Sequence, residues 1–292
     1  MFSSTTQGSP SGRGSMGRLR TRLLVGSVGL ATVAASLAGA QTASASTHSS
    51  APSGQTSVRP SHPAAPAAGN TLINHGGPVQ SSPRVYLDLW GWTSDPYGMS
   101  SYLQSFLSKV GNTSWLSTVH QYSSAGYAAP LAGVWSHAAS VPSVPTDAQI
   151  QAEAKTAGSH FGVSTGDVNA QIVVATPTGH SSSGFGTSYC AYHGVVSGTS
   201  NSYTDLPYMP DAGGSCGAGS VNPGNSLDGV SIVEGHELAE SVTDPKLNAW
   251  YTSSGSEIGD VCAWTGLANV NLNGTSFAMQ PLWSNAANAC VQ

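Results

Sequence analysis

The chain has 292 residues, enough for one or two domains. Charged residues make up 8%, against ~25% in an ordinary soluble domain, so the surface is not that of a typical cytosolic protein. The net charge of −5 argues against nucleic-acid binding by phosphate neutralisation, while the 39% apolar fraction is enough to build a core.

Four of the nine basic residues, Arg13, Arg18, Arg20 and Arg22, lie at the N-terminal end. An apolar run from Leu23 to about Ala40 follows, and Ala43-Ser44-Ala45 is an A-x-A cleavage signal. Residues 1–45 therefore read as a secretory signal peptide, with Ser46 as the mature start. The run falls short of the ~20 apolar residues that a membrane span prefers, and no other long apolar run occurs. No membrane association is expected after processing. Residues 46–71 are mostly Ser, Thr, Pro, Ala, Gly and His without an apolar period, which predicts a disordered spacer with His48 and His62 idle. A single folded domain is expected over 72–292.

Within that domain, β-branched and aromatic residues predict a strand at Arg84–Trp90. Apolar residues at Tyr102, Leu103, Phe106, Leu107 and Val110 recur at helical spacing and predict a helix over Ser100–Val110. A second helix is read at Trp115–Tyr122, and a strand at Leu131–His137. Thr146 is placed to cap a helix from Asp147 to Phe161. Strands follow at Gln171–Thr176, Ala191–Val196 and Leu206–Met209. Leu227–Thr243 reads as a long late helix. Short strands are expected around Ala249, Val261–Trp264, Val270–Leu272 and Phe277–Gln280. This order predicts a three-layer α/β domain, a mixed sheet with flanking helices.

The cysteines are Cys190, Cys216, Cys262 and Cys290. An even count in an exported chain predicts disulfides, and pairing sequence neighbours gives Cys190–Cys216 and Cys262–Cys290. The spacing lacks the close pairs of a four-cysteine zinc site.

Seven of the 14 carboxylates fall between Asp228 and Asp260. In SIVEGHELAESVTDP, starting at Ser231, His236 and Glu240 are four apart and share one helix face, with Glu237 next to the histidine. This H-E-x-x-E differs by one residue from the H-E-x-x-H of zinc peptidases, and predicts a zincin-like active-site helix. Imidazole and carboxylate are ordinary zinc ligands, and Glu237 is placed to act as general base on a metal-activated water. The bland alternative is an exposed helix that happens to carry acids. The apolar Val230, Ile232, Val233, Leu238, Ala239 and Val242 argue for a buried helix, in which uncompensated acids are costly. Asp244 continues the series but lies ~12 Å along the axis from His236, so it is read as capping or orienting the next loop. The third ligand is expected from GSEIGDVC: Glu257 as the ligand, and Asp260 as its support or alternate. Against both stands an ordinary solvated turn. Calcium is the alternative ion, although it prefers six to eight oxygens and leaves the histidine unexplained.

His193, in CAYHG, is read as lining the cleft or stabilising an oxyanion, with an exposed strand end as the competing reading. His75 reads as structural, and His120, His137, His160 and His180 as surface or core residues. Gly213-Gly214-Ser215-Cys216-Gly217 matches a nucleophile elbow only formally, since loop flanks it on both sides.

Four segments resemble the phosphate-induced, Exordium-type family and its exported bacterial relatives: NHGGPVQSSPRVYLDLWG, LDGVSIVEGHELAESVTDPKLNAWY, EIGDVCAW and FAMQPLWSNAANACV. The resemblance implies export and a shared fold. The plant members lack the His and Glu residues of the motif and act as secreted growth-related proteins. Hydrolysis is therefore read from His236, Glu237 and Glu240 in this chain and not from the family. The leading expectation is a secreted zinc-dependent hydrolase, a metallopeptidase on peptide or cell-wall substrates. A non-catalytic extracellular binding or signalling protein with a structural metal is the alternative. A two-carboxylate glycosidase using Glu237 and Asp260 ranks last.

Overall fold

Chain order begins with two short strands, β1 (Gln55–Ser57) and β2 (Ile73–Asn74). They belong to a computed structural model that describes residues 55–57 and 70–292; the expected signal segment lies outside the described residues. β1 lies inside the stretch read as a disordered spacer. Its backbone pairs with a strand of the main sheet, a pairing that residue composition does not reveal.

β3 (Arg84–Trp90) forms where the β-branched and aromatic run predicts it. α1 (Met99–Lys109) starts after Gly98, and Asp95 supplies the missing cap: its carboxylate accepts from Met99 N (2.8 Å) and Ser100 N (2.9 Å). The helix expected at Trp115–Tyr122 is a 3₁₀ turn at Leu116–Gln121. β4 (Leu131–His137) and α2 (Asp147–His160) follow. Thr146 closes a capping box with Gln149, as its position predicts. β5 (Ala170–Ala175), β6 (Tyr189–Val195) and β7 (Ser202–Leu206) complete the sheet. The strand expected at Leu206–Met209 is corrected to β7. Pro207 lacks an N–H for the ladder, and a 3₁₀ segment at Met209–Cys216 follows.

α3 (Asp228–Thr243) is buried along its whole length. Beyond it lie β8 (Trp250–Tyr251), β9 (Ala268–Leu272), β10 (Thr275–Met279), β11 (Leu282–Ser284) and β12 (Ala289–Val291), paired as small antiparallel ribbons. The strand expected at Val261–Trp264 is a 3₁₀ turn at Asp260–Cys262. Cys262 is bonded there to Cys290 on β12, and Cys190 on β6 is bonded to Cys216, so both expected disulfides form.

The main sheet runs in the order β1-β6-β7-β5-β3-β4. β7, β5, β3 and β4 are parallel; β6 is antiparallel to β7, and β1 to β6. Side chains of β5 alternate between two cores. Val173 and Ala175 join the core shared with α1 and α3, while Ile172 and Val174 join the core under α2. The architecture is therefore α/β with a mixed sheet and helices on both faces.

Candidate metal centre

α3 would be an ordinary core helix but for its acids. Val230, Ile232, Val233, Leu238, Ala239 and Val242 pack in the core, and Glu234, His236, Glu237 and Glu240 are equally buried. A buried charge is costly unless it is paired or bound to a cation. Two other segments meet this helix. β6 brings His193, and the turn after β8 brings Glu257 and Asp260.

That turn lies directly on the imidazole of His236. A Cβ at Gly259 would stand 2.7 Å from the ring, so the approach requires glycine. Gln280 pins both partners: its Nε2 donates to Gly259 O (2.9 Å) and lies 3.2 Å from His236 Nδ1. Glu240 Oε1 accepts from Gly259 N (3.2 Å) and Asp260 N (3.1 Å). Asp260 Oδ2 in turn accepts from Glu257 N (3.0 Å).

The ligand-type atoms form two triads that share Glu240: His193, Glu240 and Glu257 in one, and His236, Glu240 and Asp260 in the other. Within each triad the offered atoms lie within 4.8 Å of one another. His193 Nε2 is 3.7 Å from Glu257 Oε1, and His193 Nδ1 is 3.6 Å from Glu240 Oε2. His236 Nε2 is 2.9 Å from Glu240 Oε1, off the hydrogen-bond direction, and 3.5 Å from Asp260 Oδ1. Among the described residues, four of these buried atoms have no hydrogen-bond partner: His193 Nε2, His236 Nε2, Glu240 Oε2 and Glu257 Oε1. Buried polar atoms are normally satisfied, so unpartnered atoms in both triads mark places where a cation could sit. Two imidazole nitrogens with carboxylate oxygens suit zinc, and they do not suit calcium, which takes oxygens.

The electrostatics agree. Burial lowers a histidine's pKa, yet Glu237 and Glu240 outweigh it at His193, and Glu240 and Asp260 at His236; both imidazoles are held above their ordinary value. Burial, reinforced by Asp260, pushes the Glu240 carboxyl up to about 7. Burial, reinforced by Glu240, holds Glu257 well above the carboxylate range. Without a cation the cluster holds protons that a metal would displace.

Glu237 is engaged on both oxygens. Its Oε2 accepts from His193 Nδ1 (3.1 Å), and its Oε1 accepts from Thr56 N (3.0 Å) and Thr56 Oγ1 (2.5 Å) on β1. With Nδ1 held by a carboxylate, His193 presents Nε2 to the cluster, the arrangement of a carboxylate-oriented metal ligand. Asp244 caps the helix end and organises the following loop: its Oδ1 accepts from Asn248 N (2.6 Å) and Ala249 N (2.7 Å). A cleft of about 250 Å³ lined by Asp244, Leu247, Tyr251, Gly255 and Glu257 borders the cluster.

The structure thus brings together His236, Glu237, Glu240, Glu257 and Asp260, which the sequence marks. It also buries His193 completely, against the exposed strand-end reading, and places it beside Glu240 and Glu257. Sequence reasoning missed His193 as a residue that could hold a metal, Thr56, and Glu234. Both oxygens of Glu234 are unpartnered among the described residues, and burial, with Glu237 nearby, raises its pKa well above normal. The Cys190–Cys216 pair was the available signal for His193, since it ties β6 to the segment leading into α3.

No protein-family model matches the chain, and no solved structure matches it. Among curated proteins, Protein EXORDIUM-like 5 of Arabidopsis thaliana is 43% identical over 61 residues, covering 18% of this chain and 17% of that protein. The chain therefore spans under a fifth of the length of the curated relative it matches. The match supports an Exordium-type resemblance over that stretch and says nothing of hydrolysis or metal.

Proposed function

We propose that this is an exported, Exordium-like protein built around a buried zinc centre, and that the centre hydrolyses extracellular peptide or cell-wall substrates. The observation that carries the reading is the pair of buried histidine–carboxylate triads that share Glu240, each with atoms lacking a hydrogen-bond partner, beside Glu237. His193, His236, Glu240 and Glu257 would hold the ion, with Asp260 as an alternate carboxylate and as the group that orients Glu257. Zinc, when bound, supplies a Lewis acid that acidifies a water. Glu237 would be the residue to take the proton, at Oε1 once Thr56 has left it, with its Oε2 still held by His193. The lie of β1 favours peptides among the substrate classes. It runs antiparallel along β6 with its backbone N–H on Glu237, and an extended peptide laid there would reach the same carboxylate. The two disulfides fit export to an oxidising compartment.

The second reading, a non-catalytic extracellular protein with a structural metal, is favoured by the match to the Exordium-like protein and by the full occupancy of Glu237. Casein and peptide-library cleavage by the zinc-loaded protein separates the two. Hydrolysis by the wild type, lost ~10²–10⁴-fold in Glu237→Gln with zinc retained, is the expected result. Zinc binding without any cleavage would establish the structural reading instead, and a fully active Glu237→Gln would refute the role given to that residue.

A further inference from the structure

A second cluster lies on the opposite face of the sheet. Asp88, in the middle of β3, points into the core under α2 and is wholly buried. Neither of its carboxylate oxygens has a hydrogen-bond partner among the described residues. Glu153, on the inner face of α2, and His137, at the end of β4, close around it. The ligand-type atoms of the three residues lie within 4.8 Å of one another. A tetrahedral ion with ligands at ~2.0–2.2 Å needs them roughly 3.4 Å apart, inside the 4.8 Å limit that this cluster meets.

The ring of His137 is fixed. It stacks on Trp135 at 3.9 Å, and Trp135 also stacks on His160 at 4.0 Å. Nδ1 of His137 contacts Glu153 Oε1 at 2.5 Å. Among the described residues no Lys or Arg forms an ion pair with Asp88 or Glu153. Two buried carboxylates facing each other require a shared proton or a positive partner; His137, which pairs with Glu153, is one such partner, and a bound cation would be another. An imidazole and two carboxylates are also ordinary zinc ligands. The His137 side chain is 24% exposed, which leaves a route from solvent.

We propose that Asp88, His137 and Glu153 form a second divalent-cation site, of the zinc class, that clamps β3, β4 and α2 together. It shares no residue with the α3 centre and stands or falls independently of it.

Zinc titrated into the metal-stripped mature protein, followed by calorimetry, tests this. His137→Ala, checked by circular dichroism, is expected to lose one equivalent relative to the wild type. His236→Ala should keep that equivalent, whatever becomes of the α3 centre. Zinc-edge anomalous diffraction from wild-type crystals should place a peak between Asp88, His137 and Glu153, which guards against a misfolded variant. Unchanged stoichiometry and affinity in a folded His137→Ala protein would overturn the proposal, as would saturating zinc without a peak there. The two acids would then share a proton.

Discussion

At residue scale, the centre depends on one contact that no larger side chain permits. Gly259 lets its turn lie on the His236 ring, where even a methyl group would stand 2.7 Å from the imidazole. Gly259→Ala should push the turn outward, displacing both Glu257 and the backbone N–H groups that orient Glu240. Zinc affinity, measured by competition with a chromophoric chelator, should fall about 10–100-fold while the fold persists. Affinity equal to the wild type would mean that the turn does not position the ligands. The residues of this site differ in how far the sequence disclosed them. His236 and Glu240 were legible because helical periodicity puts them on one face, and Glu237 because it adjoins the histidine. Glu257 and Asp260 were legible by elimination, as the acids next in the chain. His193 was not, because its place beside α3 is set by strand order in the sheet, which no local pattern records. Thr56 was hidden for the same reason, its strand being three residues long and held by pairing to β6.

At element scale, the turn carrying Glu257 and Asp260 is held from outside by the Cys262–Cys290 bond to β12. Replacing both cysteines with serine should cost ~2–5 kcal/mol in urea unfolding of the metal-free protein. Zinc should bind more weakly as well, since the turn loses its anchor. Unchanged stability and affinity together would show that β11, through Trp283 N on Ile258 O, and Gln280 hold the turn without the disulfide. Secondary structure was read best where a physical signal was strong. α2 begins at its Thr146 cap, and β3 and β4 coincide with their β-branched and aromatic runs. Errors arose where short apolar runs had no such signal. The segment around Val261 is apolar enough for a strand, but its backbone is spent on the 3₁₀ turn that follows Glu257. At Pro207, a residue that cannot donate to the ladder was overlooked.

At the scale of the whole molecule, buried acids should make the metal-free protein sensitive to rising pH. Burial, with Glu153 adding to it, pushes Asp88 up to about 9. Burial pushes Asp205 up to about 7, and Glu240 rises to about 7 for the reasons given above. Each native carboxyl keeps a proton that the unfolded chain releases near pH 4, so the native state binds more protons across that interval. Stability contributed by these groups is present below about pH 4 and is lost as pH rises toward 7, and further toward 9. Urea midpoints of metal-free protein should therefore decline from pH 5 to 9, and saturating zinc, which needs deprotonated ligands, should stabilise most at the alkaline end. Midpoints that rise over this range without metal would contradict these assignments. The most direct test of the α3 centre is the zinc content of purified His193→Ala protein, beside that of the wild type and of His236→Ala. Loss of the same equivalent in both variants is the predicted result, because imidazoles from β6 and α3 are proposed to share one ion. A His193→Ala protein that keeps the wild-type ratio, or a wild type that takes up no zinc at all, would contradict it.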